Sequence, residues 1–341
     1  MIPLILLLGF KSVHSQVGGR YTYDFLNLTN SARVASLGGE VISIPDSDIN
    51  LSFHNPSLLI PEMDQMIVFN YVNYFSDIQY GYFSYSRDYK QIGSFAAGIH
   101  YINYGNFIAS DETGAITGSF SAAEYSLNLM YSRSIDSLFR VGVNLKPILS
   151  TLERYTSFGL ALDLGINYVS REGNFSTGLV LRNIGLQLKA YNQGNHEPLP
   201  FEILFGASQK LKHAPFRFIF TAQHLERYKI SPEEKDETTD NQNVYDSEQS
   251  KSGIEMFGDN LMRHFLLGLE FNPIDAFTLR FGYNYQRRQE LQIPAKAYSV
   301  GFSWGFGLNL QKFQLSYGRS TYHLSGASNH FSIAIKLKEF N

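Results

Sequence analysis

The sequence predicts an all-β chain: a transmembrane antiparallel β-barrel of about fourteen strands, preceded by an N-terminal plug segment. Three observations predict it. Apolar residues alternate with small or polar ones over segments of about ten residues, the length of a tilted membrane-spanning strand rather than the usual soluble one. The chain holds 22 Tyr and 27 Phe against one Trp, and aromatic residues both favour strands and form the girdles of membrane barrels. Short connections largely alternate with long ones, as they do between the two faces of such barrels.

The order of elements begins with Met1-Ile2-Pro3-Leu4-Ile5-Leu6-Leu7-Leu8-Gly9-Phe10. This stretch is too short to cross a bilayer and fits the apolar core of a signal peptide, although the usual basic start is missing. A buried N-terminal strand is the competing reading. Val13-His14-Ser15 ends on a small residue, so residues 1–15 are expected to be removed before Gln16. Residues 16–62 do not alternate cleanly and are assigned to the plug. Within them Ser31 to Leu37 reads as a short helix that Gly38-Gly39 terminates. Leu51-Ser52-Phe53-His54 reads as an extended piece running into a turn at Asn55-Pro56-Ser57. Residues 63–341 are assigned to the barrel.

The strands are centred near Phe69, Tyr82, Ile99, Leu127, Val143, Leu162, Leu179, Phe205, Phe218, Leu267, Phe281, Phe302, Leu315 and Ile333. In one of them Phe277, Leu279, Phe281 and Tyr283 share a face, while Thr278, Arg280, Gly282 and Asn284 share the other. A soluble sandwich also alternates, but here the small-and-polar face carries mid-strand charges: Arg140, Asp163, Glu202, Arg217, Glu270 and Arg280. A dry core does not solvate unpaired charge. A wet or plugged lumen does, and a plug would give these charges partners.

Short connections are expected near 88–91, 134–137, 170–173, 212–215, 272–275 and 307–309, and longer ones near 105–121, 185–199, 226–261, 286–295 and 319–327. The even strand number puts both barrel termini on the short-turn side, expected to be periplasmic, with the long connections at the cell surface. The segment from Glu226 to Asp259 carries ten acidic residues, among them Glu233, Glu234, Asp236 and Glu237, against four basic ones. It reads as a solvated surface loop before it reads as a ligand site.

Catalytic chemistry is not encoded in any recognisable pattern. The chain has no Cys, which removes disulfides, thiolate metal sites and thiol nucleophiles together. Gly301-Phe302-Ser303-Trp304-Gly305 matches the esterase elbow, yet it sits inside an alternating strand rather than between a strand and a helix. Walker, dinucleotide and H-E-x-x-H patterns are missing, so no cofactor or metal is expected. A net charge of −3 gives no basic footprint for nucleic acid. His264 and Glu270 share a strand face but stand about 20 Å apart. Arg287-Arg288-Gln289-Glu290 is a compact charged cluster, open to lipopolysaccharide phosphates, to a partner, or simply to solvent.

Gly18-Gly19-Arg20-Tyr21-Thr22-Tyr23-Asp24-Phe25-Leu26-Asn27-Leu28, Ser31-Ala32-Arg33 and Leu37-Gly38-Gly39 resemble the start of the PorV/PorQ family, PorQ-like members above all. Arg263-His264, Leu269-Glu270-Phe271-Asn272-Pro273 and Leu279 to Glu290 resemble its C-terminal half. These are outer-membrane barrels of the type IX secretion system of Bacteroidetes-type bacteria, similar in turn to the FadL fatty-acid transporters. Asn55-Pro56-Ser57 matches the Asn-Pro-Ala of the FadL plug, with Ser in place of Ala. The resemblance implies a non-enzymatic outer-membrane anchor for a PorZ-like surface protein, working beside PorU and PorV in cargo attachment. Its external loops, with Glu233, Glu234, Asp236, Glu237, Arg287 and Arg288, are then the expected partner surface. A FadL-like channel for hydrophobic compounds is the alternative, and it requires an apolar pocket above the plug and a lateral opening. A hydrolase would require Ser, His and an acid at one rim.

Overall fold

The computed structural model describes residues 21–74, 78–192, 194–230, 253–291, 299–323 and 326–340. The expected signal peptide and the acidic residues Glu233, Glu234, Asp236 and Glu237 lie outside the described residues.

Fourteen antiparallel strands close on themselves. They are β1 (Met66–Asn73), β2 (Gln79–Tyr89), β3 (Gly93–Ser110), β4 (Ile116–Ser134) and β5 (Phe139–Leu152). Next come β6 (Tyr155–Val169), β7 (Phe175–Lys189), β8 (Glu202–Lys210), β9 (Phe216–Ala222) and β10 (Phe265–Ile274). The last are β11 (Phe277–Asn284), β12 (Phe302–Asn309), β13 (Phe313–His323) and β14 (Gly326–Lys336). Each strand pairs with its neighbours in sequence, and β1 closes the ring on β14 from Met66↔Lys336 to Asn73↔Asn329. Closure leaves no edge, so the backbone groups within the wall are paired without water. All fourteen expected centres fall on these strands.

The period of two decides which residues meet lipid. Phe69, Ile99, Phe218, Phe281 and Phe302 point outward and are exposed. The alternate positions point in and are buried, as in β6, where Ser157, Gly159, Ala161, Asp163, Gly165 and Asn167 face the lumen. An apolar exterior around a polar interior makes this a membrane-spanning barrel.

The expected connections need correction. The stretch 105–121 is not a loop: β3 and β4 run on as a long hairpin turning at 111–115. β7 likewise extends to Lys189, which shortens the following loop. Residues 307–309 belong to β12, and the turn is at 310–312. Two long connections contain helices, α3 (Gly253–Arg263) and α4 (Tyr285–Leu291). In each case polar or Gly-containing sequence reads as loop, while pairing beyond the bilayer, where water is tolerated, keeps the hairpin or helix formed.

The N-terminal segment 21–65 lies inside the barrel. Its helix α1 (Ala32–Ser36) is capped by Ser31, whose side chain accepts from the Val34 N–H, and it ends on Gly38 and Gly39 with φ of 107° and 114°, a conformation that suits glycine. α1 packs against β11 to β14. Asn50–His54 is a second helix, α2, which corrects the extended reading; it is a single short turn whose apolar residues Leu51 and Phe53 are buried. The strand wall makes room for this segment with inward glycines. A Cβ on Gly142 would overlap the backbone of Pro56 and Ser57, and one on Gly282 the backbone of Leu37 and Gly38.

Candidate functional site

Each of the six inward charges has a partner, in the lumen segment or on the barrel wall. Glu270, 1% exposed, lies at the centre of a knot toward the short-turn end. It accepts from Arg33 Nε at 2.8 Å, Arg280 Nε at 3.1 Å and Arg217 Nη1 at 3.1 Å. Arg33 also reaches Asp46 at 2.7 Å and Asp48 at 3.3 Å, and Arg217 reaches Asp46 at 3.0 Å. Glu202 pairs with Arg182, which also holds Glu40 at 2.9 Å; Glu40 in turn contacts His54 at 3.0 Å. Asp163 pairs with Lys146 at 2.7 Å and accepts from the Asn183 N–H. Arg140 donates to the Leu59 carbonyl at 3.4 Å. The partners Arg33, Asp46, Glu40, Arg182 and Lys146 escaped sequence reasoning. The signal for them was indirect: a charge at an inward position demands a counter-charge, but only the fold says which.

Asn55-Pro56-Ser57 sits mid-lumen against β4, β5 and β6. The Asn55 side chain donates to the Ile42 carbonyl at 2.7 Å and accepts from the Ser57 N–H at 3.0 Å and the Ser57 hydroxyl at 2.6 Å. Ser57 thus adds a bond inside the turn that an alanine there lacks. Arg287 turns inward and donates to the Gly38 carbonyl at 3.3 Å and the Ser303 hydroxyl at 3.5 Å, so this half of the Arg287-Arg288 pair is engaged with the lumen segment. Ser303 is 2% exposed and meets no histidine within hydrogen-bonding distance among the described residues. The ring nitrogens of His264 lie against backbone carbonyls, those of Gln223 and Tyr228, which accept from it, far from catalytic geometry.

Above the lumen segment, on the side of the long connections, the barrel opens into a cup of about 570 Å³. Tyr104 and Phe107 of β3, Phe120 of β4 and Tyr155 of β6 form its wall, with Tyr191 from the β7–β8 loop opposite. Tyr21 to Asp24 form its floor. Phe107 and Phe120 stack at 5.1 Å. Four carboxylates line the same space: Asp24, Glu124, Glu153 and Glu197. Tyr104 donates to Glu124 Oε2 at 2.5 Å, and Tyr191 donates to the Ser150 hydroxyl. Burial pushes the Tyr191 phenol up to about 12 and raises the Asp24 carboxyl, against the lowering pull of Arg227. Sequence reasoning missed this site because Phe107 and Phe120 fall in the stretch read as loop and Tyr104 lies at its edge. A second apolar hollow, about 460 Å³, lies on the outer wall among Phe218, Leu267, Phe281 and Phe302, a face that lipid covers. Among the described residues no group of three metal-ligating side chains converges.

No family model matches the chain, and no curated protein matches it in sequence. Solved structures do match it in shape. The toluene transporter TbuX of Ralstonia pickettii superposes with a TM-score of 0.52 at 10% identity, over 91% of this chain and 98% of that one. The toluene transporter TodX of Pseudomonas putida gives 0.51 at 12% identity, over 90% and 96%. The fold is that of these transport barrels. A FadL homologue of Pseudomonas aeruginosa aligns at 0.48 and 9% identity, over 90% and 97%. At such identities the likeness speaks for architecture, and the chemistry has to come from the residues in the cup.

Proposed function

We propose that this chain is an outer-membrane, non-enzymatic entry channel of FadL-like type, taking compounds with an apolar body from the outside at the aromatic cup. The observation that carries the reading is the cup itself, an aromatic cavity of about 570 Å³ seated directly above the lumen segment. Water-accessible aromatic faces are where apolar solutes gain most from leaving water. Residues 21–65 then act as the plug that keeps the lumen from leaking. The charged interior gives an apolar solute no favourable straight path, so its exit is lateral. Below Glu124 of β4 and Leu152 of β5, which also line the cup, the β4–β5 ladder lapses between Ser126↔Ile148 and Leu129↔Leu145. Pro147, which has no N–H to donate, lies within that gap. The fold similarity to two toluene transporters favours this channel over the secretion anchor.

The anchor reading rests on the PorQ-like residues quoted above and on how tightly the lumen is filled and ion-paired. It has a PorZ-like protein, with PorU and PorV, meeting the external connections. One knockout strain separates the two. Loss of uptake of a labelled apolar compound, restored by the wild-type gene, with secreted proteins still surface-attached, supports the channel. Intact uptake with cargo lost from the surface overturns it in favour of the anchor. A tag after Asn243 that labels on intact cells, with one in the 275–276 turn that does not, supports the proposed orientation, with termini in the periplasm.

A further inference from the structure

The cup is acidic as well as aromatic, and that asymmetry limits what it binds. Its lining holds four carboxylates and, among the described residues, no Lys, Arg or His. Elsewhere in the lumen Glu270, Glu202 and Asp163 each meet an opposite charge, and Arg140 meets a carbonyl. Here Arg227 and Arg154 act on Asp24 and Glu153 only from beyond ion-pair distance. Glu124 is the sharpest case: it is 5% exposed, and its side-chain hydrogen bonds are to neutral hydroxyls, those of Tyr104 and Ser150. A buried carboxylate without a cation is costly, and a bound cation removes the cost. The rings around it supply the second half of the recognition. Arg154 already covers the Tyr155 ring at 5.4 Å, but the faces of Tyr104 and Tyr191 present negative π density, which attracts a weakly hydrated cation and is indifferent to its exact geometry.

Resting on the entry-channel reading, we infer that the cup selects organic cations, apolar bodies carrying an alkylated ammonium group, over neutral compounds of the same shape. Glu124 and Asp24 hold the charge, and Tyr104 and Tyr191 flank it. A small inorganic cation fits less well, because rings do not replace its water.

The test uses the full-length barrel in an uncharged maltoside detergent. Choline and its neutral isostere 3,3-dimethylbutan-1-ol are titrated by calorimetry or saturation-transfer NMR. The two differ by one charge at equal shape. The expected result is choline binding at least about tenfold tighter. Glu124→Gln, which keeps the hydrogen bond from Tyr104 and removes the charge, is expected to lower choline affinity about tenfold and leave the isostere unchanged. Tyr191→Leu, placed in a loop so that strand pairing is untouched, is expected to weaken choline several-fold. Retention of heat-modifiable gel mobility shows that each variant is folded. Equal binding of the two probes would overturn the cation inference and leave the channel for neutral compounds standing. If neither binds while the barrel is folded, the cup is not a ligand site, and both readings fall.

Discussion

The two ends of this lumen both gather carboxylates and do opposite things with them. Toward the short-turn end, three arginines meet three carboxylates around Glu270, and every charge is answered. Toward the long-connection end, four carboxylates and a ring of aromatics share a cavity with no basic side chain of its own among the described residues. The comparison teaches that charge inside a barrel is not one kind of signal. Balanced charge fixes one segment against another and leaves nothing for a ligand. Unbalanced charge beside apolar faces is incomplete until a ligand arrives.

The sharpest way to break the first half of that contrast is Glu270→Ala. It leaves Arg33, Arg217 and Arg280 crowded together with too little negative charge, and breaking such a buried network costs about 3–5 kcal/mol. The midpoint of urea unfolding in detergent should drop accordingly; an unchanged midpoint would mean that the knot contributes nothing to stability. Next in size is Gly142→Val, which drives a side chain into Pro56 and Ser57. Overpacking of this kind costs about 1–3 kcal/mol, and it should be relieved by loosening the lumen segment rather than the wall. Limited proteolysis is expected to cut between residues 40 and 60 in the variant only. Asn55→Ala is smaller, about 1 kcal/mol, because it removes one capping acceptor and one donor to the Ile42 carbonyl. The smallest effect belongs to Lys212→Ala on the short turns. Lys212 and Glu172 pair at 2.6 Å but are both exposed, so solvent screens them and no shift in midpoint is expected.

The strands were legible because a wall between lipid and lumen imposes a strict period of two on every residue. All fourteen centres could be read, and so could the inward positions of Arg140, Asp163, Glu202, Arg217, Glu270 and Arg280. That pattern ends where the bilayer ends. Beyond it the β3–β4 hairpin is held by pairing alone, with Asn103, Asn106 and Gly105 breaking the alternation, and it reads as loop. The lumen segment obeys no period either, since barrel wall surrounds it on all sides. Helix α1 was visible through Ser31 and Gly38-Gly39, whereas α2, a single turn with no side-chain cap on Ile49, was not. The cup needed four strands, the β7–β8 loop and the floor at Tyr21 to Asp24 brought together, a coincidence of distant segments that no local spacing announces.

The arrangement of both ends rests on residues 21–65 lying inside the barrel, and one pair of substitutions tests that directly. An ideal Cβ on Gly206 of β8 stands 3.3 Å from the Ser43 Cβ, close to the separation a disulfide spans, and the chain has no other Cys. The double variant Ser43→Cys, Gly206→Cys, oxidised in native membranes, is expected to cross-link nearly completely and to resist maleimide labelling until reduced. Two freely labelled thiols in a barrel that still shows heat-modifiable mobility would place the segment elsewhere and contradict the account.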